Sequence, residues 1–196
     1  MSSSPVFKQV ISAIDQINRQ DPNRQVHEGK DWPKELLYSE RMTQQLHDFA
    51  PDAGELLHIA ARAQHVRRWA IPRSDYPMDR SGYQRWRSEL AQYHAELTTQ
   101  LMAEAGYGEQ AQQRVSGLLL KKRLKQDTEV QLLEDVICLV FLRYYLQDFA
   151  ARHDEDKVVD IIGKTWRKMS EKGHQAALAL TLPAAVQALV GRALAG

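Results

Sequence analysis

The chain has 196 residues, of which 43% are hydrophobic and 26% charged, and its formal net charge is +1. That length suits one sizeable core, so a single domain over 1–196 is the expectation, and the near-neutral balance excludes a global pull toward nucleic acid or anionic membrane. Cys138 is the single cysteine and lies in the apolar run Val136-Ile137-Cys138-Leu139-Val140, which excludes an internal disulfide or multi-cysteine zinc site and predicts a buried thiol.

Taken in order, Ser4-Pro5 reads as an N-cap followed by proline at the first helical position, and Phe7, Val10, Ile11, Ile14 and Ile17 continue at helical spacing to Asn18. Asp21-Pro22-Asn23 stops this helix, and a polar loop with Gly29 and Pro33 carries the chain onward. A second helix is predicted from Pro33 to about Ala50, with Tyr38, Met42, Leu46 and Phe49 on one face. After Pro51-Asp52-Ala53-Gly54, the stretch Glu55 to Trp69 holds no proline or glycine and predicts a third helix, on which His58, Arg62 and His65 share a face. Ile71-Pro72-Arg73 ends it, and Arg73 to Gly82 reads as a loop.

A long helix is predicted from Tyr83 to Ala105, its apolar stripe containing His94, with Gly106 just past its end. Another follows from Glu109 to Lys121. Thr128-Glu129-Val130-Gln131 has a capping-box pattern and opens the most apolar helix, which is predicted to reach about Ala151 and to carry Asp135 among Leu132, Val136 and Leu139. An acidic side chain there requires a partner. His153-Asp154-Glu155-Asp156 reads as an exposed turn. Val158, Val159, Ile162, Trp166 and Met169 mark a helix ending near Gly173, and Pro183 opens a last short one. With no strand pattern longer than a few residues, the expectation is an all-α bundle of about seven helices. Met1-Ser2-Ser3-Ser4-Pro5 has no leader-like pattern and no apolar run approaches the roughly 20 residues of a bilayer span, so a soluble, cytoplasmic chain is expected.

Three polar residues, His65, His94 and Asp135, thus point inward from three helices, which is the ligand inventory of a two-histidine, one-carboxylate metal site. Arg62, Arg67, Arg68, Arg73, Arg80, Arg85 and Arg87 concentrate on and behind the histidine helix, interleaved with Trp69, Tyr76, Tyr83 and Trp86. Guanidinium forks match phosphate and carboxylate, so Arg62, Arg67, Arg68 and Arg73 are the candidate binding residues for a small anionic molecule. A base-stacking surface for nucleic acid is the less favoured reading of the same residues.

The order of these residues resembles the HD-domain superfamily of helical metal-dependent phosphohydrolases. Ile59-Ala60-Ala61-Arg62-Ala63-Gln64-His65-Val66 resembles its His-Asp segment, Tyr93-His94-Ala95-Glu96 a helix carrying a later histidine, and Leu133-Glu134-Asp135 the helix with the final aspartate. Tyr38 stands where the first histidine would be and Val66 where the aspartate after the histidine would be, so His65, His94 and Asp135 are the ligands carried over. Over nearly the whole chain, Glu35-Leu36-Leu37-Tyr38-Ser39-Glu40-Arg41-Met42, Tyr76-Pro77-Met78, Asp154-Glu155-Asp156-Lys157 and Lys164-Thr165-Trp166-Arg167-Lys168-Met169-Ser170 resemble the family known as domain of unknown function 4202.

The HD resemblance implies a core over about 36–145 with C-terminal helices 157–196 packed on it. It also implies a divalent metal (Fe, Mn, Zn or Mg) and hydrolysis of a small phosphorylated or nucleotide-like substrate. In that reading Tyr38 or Glu134 handles protons. The alternatives are a non-haem iron oxygenase, or a metal-free helical binding or regulatory module that retains the shell.

Overall fold

The computed structural model describes residues 4–195. The fold is all-α apart from one small hairpin. Among the described residues no helix is long and apolar enough to cross a membrane. The chain divides into two units, one ending at Lys122 and the other beginning at Arg123, a division that falls inside the 36–145 stretch expected to form one core.

In the first unit, α1 (Pro5–Asn18) starts as its sequence predicts: the Ser4 hydroxyl accepts the Phe7 N–H at 3.2 Å, and Pro5 gives up a donor that needs no partner there. The expected polar loop is instead an antiparallel hairpin, β1 (Arg24–His27) and β2 (Lys30–Pro33). Its turn residues Glu28 and Gly29 both take positive φ, at 50° and 73°, the backbone twist a two-residue hairpin turn needs. Four-residue strands with mostly solvent-facing side chains leave no periodic trace.

Helix α2 (Lys34–Phe49) matches its expected bounds and buries Leu36, Leu37, Met42 and Leu46, while Glu40, Gln44 and His47 are exposed. Helix α3 (Glu55–Arg62) is half as long as expected. The chain leaves it through turns, and a single turn of 3-10 helix follows at Arg68–Ala70. Tertiary contacts hold the turns that follow Arg62. Asn18, fully buried at the end of α1, donates to the Ser39 hydroxyl and accepts the Arg67 N–H at 3.0 Å, with Arg67 in the left-handed region at φ 51°. No residue between Glu55 and Trp69 is a helix breaker, so local propensity is overridden.

Helix α4 (Arg80–Glu104) begins one turn earlier than predicted, because Asp79 caps it through the Gly82 N–H at 2.6 Å. Gly106 lies past its end with φ 97°, as expected. Helix α5 (Glu109–Leu119) buries Val115, Leu118 and Leu119. The unit's core is Ile14, Met42, Leu46, Leu57, Ile59, Met102 and Leu118, all fully buried.

The second unit consists of α6 (Thr128–Tyr144), α7 (Leu146–Ala150), α8 (Glu155–Trp166), α9 (Glu171–Leu178) and α10 (Ala184–Ala195). Its core includes Leu133, Leu139, Leu146 and Ile162. Two expectations are corrected here. Asp127, not Thr128, caps α6: it stands in the extended N-cap conformation, and its carboxylate accepts from the Glu129 and Val130 N–H groups. The helix expected to end near Gly173 ends at Trp166, and Gly173 lies inside a separate helix capped by Ser170. His153-Asp154-Glu155-Asp156 is the α7–α8 turn, with Asp154 as the α8 N-cap and the acids in the first helical turn.

Candidate functional site

The candidate site grows from the interrupted end of α3. His65 sits in the turn and not on the helix, so the shared face expected for His58, Arg62 and His65 does not form. Its Nε2 lies 2.8 Å from Nη1 of Arg68, and its Nδ1 lies 3.0 Å from Oε2 of Glu35. An arginine can only donate, so Nε2 is the acceptor, and the ring proton sits on Nδ1 and points at the Glu35 carboxylate. His65 is therefore neutral. Burial and then the positive charge of Arg68 hold its pKa well below the usual histidine value.

Glu35, in the first turn of α2, is 6% exposed. Burial raises its carboxyl above the ordinary value, and Arg68 and Lys34 pull it part of the way back. Its backbone N–H is held by Asp21 at 2.9 Å, so the start of α2 is fixed in place. Tyr38, one turn further along, stacks flat on His65, with ring centroids 3.8 Å apart and planes within 12°. On the other side, the Arg68 guanidinium lies 4.8 Å from the Trp86 ring centroid. Carboxylate, imidazole and guanidinium thus form one hydrogen-bonded chain bordered by two aromatic rings.

His94 completes the cluster from α4. It is 4% exposed, and its ring centroid is 6.2 Å from that of His65. Nδ1 lies 2.9 Å from the carbonyl oxygen of Val66, which makes it the donor and leaves the lone pair on Nε2. That Nε2 is buried with no hydrogen-bond partner among the described residues. Burial, followed by coupling to the His65 ring and the charge of Arg68, lowers its pKa to about 3.

The other candidate arginines of the first unit have different roles. Arg62 gives its Nε and Nη2 to Asp15 at 2.7 and 2.8 Å, Nη2 also to Glu40 at 2.5 Å, and Nη1 to the Thr43 hydroxyl. It is 5% exposed and is corrected from a ligand-facing cation to a structural one joining α1, α2 and α3. Arg73 is likewise committed, donating to the carbonyls of Tyr76, Pro77 and Asp79, which shapes the loop ahead of α4. Arg67 is exposed, and the role its backbone plays is the left-handed turn.

Asp135 belongs to the second unit. One of its oxygens accepts the Ser170 N–H at 2.8 Å and the Gln131 amide at 3.1 Å, the other the Ser170 hydroxyl at 2.5 Å. Glu134, also in that unit, is 2% exposed with Lys168 at 3.8 Å. Among the described residues no group of three or more His, Cys, Asp and Glu side chains is placed to hold a metal ion. His94 offers a free lone pair, but His65 spends its own on Arg68, and a guanidinium beside both rings repels a cation. The donors do not fit a two-histidine, one-carboxylate centre.

Glu35, Asn18 and Trp86 were absent from the expected site. Glu35 three residues before Tyr38 reads from sequence as an ordinary acid in a first helical turn, and the backbone carbonyl of Val66 has no sequence signature at all.

The first unit thus presents a helical scaffold with a buried imidazole–carboxylate–guanidinium cluster. A family model for the domain of unknown function DUF4202 matches residues 8–190, and the chain belongs to that family. No curated protein and no solved structure matches it.

Proposed function

We propose that the chain is a binding or regulatory module that holds a small anionic molecule at Arg68, beside His65 and His94. The observation carrying this reading is the buried His94 Nε2 with no partner, next to an arginine already held in position. Glu35 and His65 anchor one Nη1 donor of Arg68, and the Trp86 ring supports the guanidinium plane. The side chain is still 30% exposed, so its other donors are within reach of a phosphate or carboxylate. His94 Nε2 then accepts from a hydroxyl or N–H of the same molecule.

A hydrolytic role for His94 is disfavoured by its basicity. With a pKa near 3 it has little driving force to take a proton from water, whereas it remains a good hydrogen-bond acceptor. The reading is tested by titration calorimetry at low salt with inorganic phosphate, methyl phosphate and glycerol 3-phosphate. Arg68→Ala is expected to weaken all three by about tenfold, an effect that shrinks at high salt. His94→Ala is expected to remove the preference for glycerol 3-phosphate over methyl phosphate. Unchanged binding in Arg68→Ala overturns the reading. Stoichiometric metal in the untagged protein, lost in His94→Ala, would overturn it in favour of a metal centre.

A further inference from the structure

A second feature of the first unit adjoins the His65–His94 cluster, since the Trp86 ring lies 4.8 Å from the Arg68 guanidinium and 6.0 Å from that of Arg73. From Arg67 to Glu89 the chain carries six arginines against two aspartates and one glutamate, a local charge of +3 in a protein whose total is +1. Several cations elsewhere meet acids: Arg24 meets Asp31, Arg62 meets Asp15 and Glu40, Lys164 meets Asp160, and Arg192 meets Glu155 and Asp156. Arg80, Arg85 and Arg87 are exposed and have no ion pair among the described residues. Their positive charge is left facing solvent.

These arginines alternate with aromatic rings. Arg80, Tyr83 and Arg87 fall at i, i+3 and i+7, one stripe of α4, and the Arg87 guanidinium lies 5.8 Å from the Tyr83 centroid. Arg73 lies 6.0 Å from the same ring, and Arg85 lies 6.0 Å from the Tyr76 ring. Tyr83 is 45% exposed, an uncommon position for a large ring. The surface is also preformed. Arg73 ties three carbonyls of the preceding loop together, and a Cβ on Gly82 would lie 2.1 Å from the Pro77 carbonyl oxygen, so loop and helix are in close backbone contact. Such a surface loses little entropy on binding.

We propose that this face binds single-stranded nucleic acid, with Arg80 and Arg87 on phosphates and the Tyr83 ring as a stacking platform for a base. Guanidinium planes interleaved with an exposed ring suit a polymer that alternates phosphates with flat bases. An acidic peptide would use the charges alone and leave the ring without a role. A duplex keeps its bases stacked internally and offers nothing to Tyr83.

The test is fluorescence anisotropy of a labelled oligothymidylate of about 12 nucleotides, across roughly 50 to 200 mM salt. Binding is expected to weaken as salt rises. Arg80→Ala and Arg87→Ala should each flatten the log–log salt slope by about 0.7, and the pair should cost at least about tenfold in affinity at low salt. Tyr83→Ala should weaken binding severalfold while leaving the slope unchanged, with its melting curve checked against wild type. Tyr83→Ala should leave phosphate binding in calorimetry intact, so failure of the small-anion site and failure of this surface are distinguishable. The proposal is overturned if the oligonucleotide does not bind, if polyglutamate competes as well as the oligonucleotide, if duplex binds as tightly, or if Tyr83→Ala has no effect.

Discussion

At the scale of single residues, the cluster shows how one histidine can be held neutral by its neighbours. Arg68 occupies the Nε2 lone pair of His65, and Glu35 takes its proton-bearing side, so any third group that wants the imidazole must displace one of them. Arg62 makes the contrasting case, a buried arginine whose charge is answered on the spot by Asp15 and Glu40. Truncating it would leave Asp15, 14% exposed, without its cation. Arg62→Ala is therefore expected to cost about 3 kcal/mol in chemical denaturation. A loss below about 0.5 kcal/mol, the size of a surface substitution, would show that the pair is not stabilising.

At the scale of elements, the docking of α9 onto α6 depends on one carboxylate. Asp135 accepts from the Ser170 backbone N–H and hydroxyl, and so anchors the residue that caps α9. The inward acid in an apolar helix does have the partner its burial demands, supplied by a helix that sequence periodicity merged with its predecessor. Gly173 is what permits the approach: a Cβ there would fall 2.7 Å from Asp135 Oδ1. Because that oxygen is held by Ser170 and Gln131, it cannot move aside without breaking those bonds. Gly173→Ala is expected to destabilise by about 1–3 kcal/mol. In an Asp135→Ala background the cost should fall, giving a coupling of about 1 kcal/mol in a double-mutant cycle. Additive losses would mean that the contact does not limit the packing.

At the scale of the whole molecule, folding stability integrates the buried titrating groups, and its pH dependence has a definite sign. His94 has a folded pKa of about 3 against an ordinary 6.5. Between those values the unfolded chain binds a proton that the folded chain does not, so stability rises with pH across that window and levels off above 6.5. His65 is shifted in the same direction. Glu35, raised above 4.5, opposes them: its contribution is present at low pH and is lost as pH rises through its folded value. Urea midpoints are expected to climb from about pH 4 to about pH 6.5, and His94→Asn, which keeps a donor for the Val66 carbonyl but does not titrate, should flatten the climb. A parallel climb in that variant would show that His94 is not its source.

The same scale separates what the chain's own order of residues determines from what its folding decides. The helical class, the bounds of α1, α2 and α5, and the inward phase of His94 and Asp135 were legible because apolar side chains at helical spacing have one face to bury, whatever they pack against. Membership of the family was legible for the related reason that several separated segments match it together. The hairpin was not legible, since short solvent-facing strands carry no period. Nor was the end of α3, where a buried asparagine on another helix takes the Arg67 N–H from a stretch with no local reason to stop. That bond closes the turns in which His65 stands off its helix, next to Glu35 and Arg68. The composition of the cluster was therefore written in the chain, while its arrangement, and with it the chemistry it can perform, was settled by contacts between residues far apart in sequence, 30 positions for Glu35 and His65 and 49 for Asn18 and Arg67.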